Sequence, residues 1–177
     1  MIINIIIQAR TSSKRFRGKI LKSFNQKRLI FNIIDNLKKL KKINKIIVAT
    51  TINNSDNQLC NLLKKNKISL VRGSENNVYK RFRQCCVQNK CDYLIRISAD
   101  SPFINSDLIQ KMINFLIKNS NKKIDFITSN YPKKILKGQS IEIISTKIFF
   151  KYEKKITTLD EKEHVFSKIY ENIKRFN

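Results

Sequence analysis

The sequence predicts an α/β fold built on a mainly parallel central sheet with helices on both faces. Short runs rich in β-branched or aromatic residues recur at 2–7, 46–51, 68–72, 93–98 and 124–128, each of the length expected for a strand. Between them apolar residues return with helical spacing, as in 29–40, 78–87 and 108–117, so strand and helix alternate in the manner of a doubly covered sheet. Ligands of such sheets sit outside the carboxyl ends of the strands. At 177 residues the chain fits one domain, 1–177, that buries roughly two thirds of its unfolded surface.

Each element has its own warrant. The first run, 2–7, has no basic region ahead of it and falls far short of the ~20 residues of a membrane span. A cytoplasmic protein with no membrane partner is therefore expected. The run gives way at Gln8 to ARTSSKRFRGK, 9–19, in which Arg10, Lys14, Arg15, Arg17 and Lys19 are basic. The window 29–40 places Leu29, Ile33, Ile34 and Leu37 on one helical face, and 78–87 and 108–117 follow the same spacing. The strand at 93–98 runs into Asp100 and Pro102. The segment 139–144 alternates apolar and polar residues, which suits a partly exposed antiparallel strand. Repeats, linkers and low-complexity tails are not found.

Composition narrows the function. The formal charge of +24, from 37 Lys and Arg against 13 Asp and Glu, suggests a polyanionic partner. Lys, Asn, Ile and Phe are abundant while Gly, Pro and Trp are scarce, as A/T-rich coding would produce everywhere in the chain. The charge has no RNP-type, zinc-finger or helix-turn-helix context around it, so nucleic acid is not the expected partner. Cys60, Cys85, Cys86 and Cys91 lack paired C-x-x-C spacing and a neighbouring histidine, and are read as reduced, packed thiols rather than zinc ligands. Only three glycines occur, Gly18, Gly73 and Gly138; each is expected where a side chain would be costly, at positive φ or at a close approach to the backbone.

The basic loop after the first strand faces the ligand crevice of such a sheet. Arg10 and Arg15 offer forked donors, Lys19 a point charge, and Ser12 and Ser13 hydroxyls beside Gly18, together suited to a triphosphate. It is not a Walker A loop, whose G-x-x-x-x-G-K-[ST] is absent. At the end of the 93–98 strand, Asp100 is placed to hold Mg²⁺, which bridges carboxylates to phosphates. A turn or helix cap is the other reading of Asp100, with Asn105 and Ser106 competing for that role.

Taken in order, the stretches IIQARTSSKRFRGKIL, IIVATT, VRGSENNVYKRF, YLIRISADSPFI, SN at 129–130, GQSIE at 138–142 and EHV at 163–165 resemble cytidylyltransferases of the spore-coat polysaccharide type. That group is similar to the CMP-sugar synthetases activating sialic, legionaminic and 3-deoxy-manno-octulosonic acids. The resemblance implies a Rossmann-like nucleotidyltransferase fold of the GT-A type. It implies a reaction in which CTP and a sugar, acidic in most relatives, give CMP-sugar and pyrophosphate for surface glycan synthesis, with Mg²⁺ as cofactor. By the same resemblance Arg10, Ser13, Arg15 and Lys19 grip phosphates, Ala9, Ala49, Thr50, Arg72 and Ser74 line the nucleoside pocket, and Asp100 holds the metal. Asn130, Glu142 and His164 then face the sugar. The chain departs from the family in carrying Ser140 where an aspartate is usual, and the family's later strand and D-x-x-x-D stretch are not among these residues. In relatives that stretch completes the metal site and helps build a homodimer. A non-catalytic nucleotide- or partner-binding relative, and a basic nucleic-acid-binding protein, are the alternative readings.

Overall fold

A computed structural model describes residues 1–12, 18–24, 26–100, 103–132 and 139–176. Ser13, Arg15 and Gly138, singled out above, lie outside these residues. Strand β1 (Ile3–Gln8) is buried almost throughout. Its β-branched side chains alternate between two apolar layers, Ile3, Ile5 and Ile7 facing one and Ile6 the other. After the crevice loop come a small hairpin, β2 (Ser23–Phe24) and β3 (Lys27–Arg28), and helix α1 (Leu29–Lys38), which buries Ile30, Ile33, Ile34 and Leu37. Strand β4 (Lys45–Thr51), helix α2 (Asn57–Lys65), strand β5 (Ser69–Gly73), helix α3 (Val78–Gln88), strand β6 (Tyr93–Ser98) and helix α4 (Ser106–Lys118) complete the alternating part. Strands β7 (Phe126–Thr128) and β8 (Glu142–Ser145) and the short helices α5 (Thr146–Lys151), α6 (Leu159–Glu163) and α7 (Ser167–Glu171) follow.

The main sheet has six strands in the order β5-β4-β1-β6-β8-β7. β1, β4, β5 and β6 run parallel, while β8 pairs antiparallel with both β6 and β7. Buried residues of α1, α2 and α4 form the core on one face, and those of α3, α5 and α7 the core on the other. The α/β class with a mainly parallel sheet, covered on both faces, is as the sequence predicts. Gln8 lies level with Ala49 of β4 and Ser98 of β6, so the carboxyl ends of β1, β4 and β6 open onto one crevice. The order reverses at β1, the position where open α/β sheets bind ligands.

The strand expected at 139–144 is corrected. It begins only at Glu142 and is interior rather than partly exposed, because β6 and β7 flank it and both faces are packed: Ile143 joins one core and Ile144 the other. The strand expected from 124 starts at Phe126, since Ile124 turns its carbonyl to the Tyr93 hydroxyl, 2.8 Å away. Gly18 has φ +67°, the left-handed region that glycine occupies without strain. Gly73 is a different case: a Cβ there would come within 2.9 Å of Gln84 Oε1 and 3.2 Å of Arg81 Cγ, so it permits α3 to press onto β5. Cys60, Cys85 and Cys86 are buried and Cys91 is half-buried, all as free thiols.

Candidate active site

The loop after β1 is held from both sides. The Ala9 amide donates to the Ala49 carbonyl at 3.1 Å, and the Gly18 amide donates to the Thr11 carbonyl at 2.9 Å, so the first and last described residues of the turn meet. Gly18 then delivers Lys19, whose Nζ is 2.6 Å from Asp100 Oδ1. Asp100 reaches that point because Ala99 donates to the Gln8 carbonyl at 2.9 Å and extends β6 alongside β1. The cap of α4 is Asn105, which accepts from the Leu108 amide at 2.9 Å. Asp100 is therefore free of that role and stands at the crevice with its side chain largely exposed.

Arg10 faces two carboxylates, Glu75 at 3.9 Å and Glu163 at 3.7 Å. Glu163 arrives there on α6, whose start is set by a capping box of Thr158 and Glu161. Glu75 also accepts from the Ser12 hydroxyl at 2.8 Å and from Asn53 Nδ2. Arg72 donates to the carbonyls of Thr51 at 2.8 Å and Asn53 at 2.9 Å, bracing the loop after β4. Ala49 and Thr50 are fully buried at the end of β4, and Ser74 accepts from the Asn77 amide at 3.1 Å.

The expected sugar-facing residues divide. Glu142, 3% exposed, lies 3.4 Å from Arg96 and accepts from the Tyr170 hydroxyl at 3.1 Å. Tyr170 lies 2.8 Å from the Thr128 hydroxyl, which accepts from the Asn130 amide at 3.0 Å. Burial, with the nearby Glu142 charge, pushes the Tyr170 phenol well above its usual range, so it remains a donor at all ordinary pH. His164 stands apart, exposed at the end of α6 with Nε2 3.5 Å from Asp160.

Asp56 and Arg81 were not singled out by sequence. Asp56 is fully buried and tied to Thr11, Thr50 and Thr51. Arg81, also fully buried, donates to the Ser74 carbonyl at 2.6 Å, while its Nε and Nη2 have no hydrogen-bond partner among the described residues. Burial, added to by the like charge of Arg10, pulls its pKa below the usual arginine range. A signal existed for Arg81: it follows Val78 by three and precedes Cys85 by four, which places a cation on the apolar stripe of a helix. For Asp56 the only cue is a Thr-Thr strand end followed shortly by N-S-D.

For Mg²⁺ at this crevice, Asp100 is the described carboxylate that would hold it. Among the described residues no cluster of three or more His, Cys, Asp or Glu side chains converges, but one exposed carboxylate at a strand end is enough when phosphates supply further oxygens. A cavity of about 650 Å³ at the β7 edge, lined by Phe115, Phe126 and Tyr131 among others, includes none of Arg10, Lys19 and Asp100 in its wall.

Comparison with known proteins identifies the family. The cytidylyltransferase family matches residues 4–174. The chain belongs to the cytidylyltransferase family. This cytidylyltransferase-family chain is 30% identical over 115 residues to the spore coat polysaccharide biosynthesis protein SpsF of Bacillus subtilis, covering 63% of this chain and 48% of that one. It is 30% identical over 142 residues to a 3-deoxy-manno-octulosonate cytidylyltransferase of Wigglesworthia glossinidia brevipalpis, covering 77% of this chain and 54% of that one. It thus spans about half the length of both relatives. The structure of a cytidylyltransferase from Leptospira borgpetersenii superposes with a TM-score of 0.92 at 29% identity, over 99% of this chain and 74% of that one. Among the described residues no helix is long and apolar enough to cross a membrane.

Proposed function

We propose that this cytidylyltransferase-family protein transfers CMP from CTP to a sugar hydroxyl, releasing pyrophosphate, in the synthesis of a surface glycan precursor. The observation that carries the proposal is the meeting of Lys19 and Asp100, 2.6 Å apart, at the adjacent carboxyl ends of β1 and β6. A cation and a carboxylate at one point of a sheet's switch region suit a nucleotide whose phosphates need both a positive donor and a metal ligand. The naming of relatives for polysaccharide biosynthesis and for an acidic-sugar cytidylyltransferase supports the substrate class.

In the reaction the sugar oxygen bonds to the α-phosphorus while the bond from that phosphorus to the bridging oxygen breaks, and the electron pair leaves on pyrophosphate. Such a transfer needs alignment and charge neutralisation more than covalent help. Lys19, with Arg10 and Arg15, holds the phosphates and the departing pyrophosphate; Asp100 would hold Mg²⁺, which when bound supplies positive charge at the phosphates. Ala9, Ala49, Thr50, Arg72 and Ser74 form the walls for the nucleoside. Glu142 and Asn130, joined through Tyr170 and Thr128, offer acceptors and donors to the sugar; His164, which stands apart from them beside Asp160, is assigned to the sugar by the family resemblance alone. The protein acts in the cytoplasm, where CTP is supplied.

The test is pyrophosphate release from CTP, with and without Mg²⁺, against a panel of acidic and neutral sugars. Mg²⁺-dependent release with one acidic sugar well above the no-sugar blank is the expected result. Absence of release with every sugar, at protein concentrations where CTP is seen to bind, would overturn the catalytic reading.

A further inference from the structure

Asp56 sits at the start of α2, outside the residues expected to touch CTP, yet it ties the loops after β1 and β4 to each other. Its Oδ1 accepts from the Thr11 amide at 2.7 Å and the Thr11 hydroxyl at 2.6 Å. Its Oδ2 accepts from the Thr50 hydroxyl at 3.0 Å, the Thr51 amide at 3.1 Å and the Thr51 hydroxyl at 2.5 Å. The carboxylate is fully buried and makes no salt bridge in the described structure. A charge so placed is costly unless its lone pairs are used, and here two amides and three hydroxyls face them, the Thr11 hydroxyl lying also 2.9 Å from the Ser55 carbonyl. Burial would raise its pKa, but the hydrogen bonds from Thr11, Thr51 and Thr50 together outweigh it and leave the pKa below the ordinary carboxylate value.

The consequence lies in what Thr11 holds. It follows Arg10, precedes Ser12, and its carbonyl accepts from the Gly18 amide at 2.9 Å, so one residue fixes both sides of the turn that carries Arg10 and presents Lys19. We infer that Asp56 is a positioning residue for nucleotide binding: through Thr11 it holds Arg10, and through the Thr11–Gly18 hydrogen bond Lys19, at the places that receive the triphosphate of CTP. The inference rests on the proposed CTP-dependent function. Arg72 braces the same region from the other side, through the carbonyls of Thr51 and Asn53, so the β4 end is a rigid anchor and the β1 loop is the part that Asp56 restrains. Neutral Asn at position 56 could keep only one of the two acceptor oxygens and would set an amide N–H₂ against existing donors.

The experiment compares Asp56→Asn, Thr11→Val, Thr11→Ser and the double variant Thr11→Val/Asp56→Asn with wild type, at a temperature where each is folded by circular dichroism. CTP dissociation constants are read by calorimetry, and amide hydrogen exchange is followed in the 9–12 and 18–21 segments without nucleotide. Asp56→Asn is expected to weaken CTP binding about tenfold and Thr11→Val by a smaller factor, with Thr11→Ser near wild type because it keeps the hydroxyl donor. The double variant should lose less than the sum of the two single losses, since both changes cut the Thr11–Asp56 link, while Thr11→Val also removes the contact of that hydroxyl with the Ser55 carbonyl at 2.9 Å. Exchange in the two segments should rise in every weakened variant and not in Thr11→Ser. Wild-type affinity and wild-type exchange in the folded variants would overturn the inference, as would strictly additive losses. If Asp56→Asn does not fold, the contrast between Thr11→Val and Thr11→Ser decides alone. If wild type binds no CTP, the proposed function fails, and unchanged exchange in the variants overturns the loop restraint separately.

Discussion

Asp100 touches the crevice through an exposed carboxylate and does not cap α4, a role that Asn105 fills. Asp100→Asn keeps the shape and removes the charge that both Lys19 and a divalent cation would use. The expected outcome is a melting temperature within a few degrees of wild type, with at least about 100-fold slower Mg²⁺-dependent turnover, equivalent to about 2.7 kcal/mol of transition-state stabilisation. Turnover within a few-fold of wild type would remove Asp100 from the mechanism. Residues at this scale were partly legible in the sequence. Arg10, Lys19 and Asp100 stand out by type and place, since charge concentrated after a strand has few structural uses. Asp56, Glu75 and Glu163 did not, because each acts through a partner 45 or more residues away, or on Arg10 from a distant element, and sequence spacing carries no trace of such contacts.

At the scale of elements, the helices that flank the crevice start on asparagine caps. Asn77 accepts from the Lys80 amide at 2.7 Å and Asn105 from the Leu108 amide at 2.9 Å, satisfying donors that a helix start otherwise leaves open. Asn105→Ala is expected to cost about 1 kcal/mol of stability and to lower the melting temperature by about 2–4 °C for a chain of this size. CTP affinity should change little, because the Asn105 side chain is spent on the Leu108 amide and is not among the residues expected to touch CTP. A loss above about tenfold in CTP affinity would mean that α4 positions Asp100 more strongly than this geometry implies. The strong periodic elements, α1, α3 and α4, followed from apolar spacing, though on α1 the first buried position is Ile30 and not Leu29, which packs half-buried at the edge of the core. Helix α2 was passed over in the sequence: it is nine residues long and its buried stripe is only Leu59, Cys60 and Leu63. The boundary of β8 was missed because alternation of polar and apolar residues describes a strand open to water on one face, and Glu142 is polar for its contacts with Arg96 and Tyr170 rather than for solvent.

Across the whole molecule, the +24 charge hides a fully buried anion, Asp56, held by hydrogen bonds. Asp56 is an acid whose pKa is lowered on folding. Such a group adds stability at any pH above its ordinary unfolded value of about 3.9, and that contribution is lost as pH falls through the lower folded value. Arg81 and Cys60 feel its charge, but neither titrates in that range. Wild type is therefore expected to lose stability more steeply below pH 4 than Asp56→Asn does, in urea titrations followed by circular dichroism. Parallel acid profiles for the two would show that the five hydrogen bonds contribute no net stabilisation of the charged form.

By itself the sequence determined the class of fold, because strand-length β-branched runs alternating with amphipathic helices leave few arrangements that bury both faces. It also determined which loop concentrates basic charge, since residue type and position after the first strand need no partner to be read. Only the tertiary structure decided that Lys19 and Asp100 meet, that Arg10 is shared by Glu75 and Glu163, and that Asp56 holds Thr11. Those pairings depend on the order of strands in the sheet, β5-β4-β1-β6, and on register between β1 and its neighbours. Both are set by long-range packing and hydrogen bonding, which local periodicity does not encode.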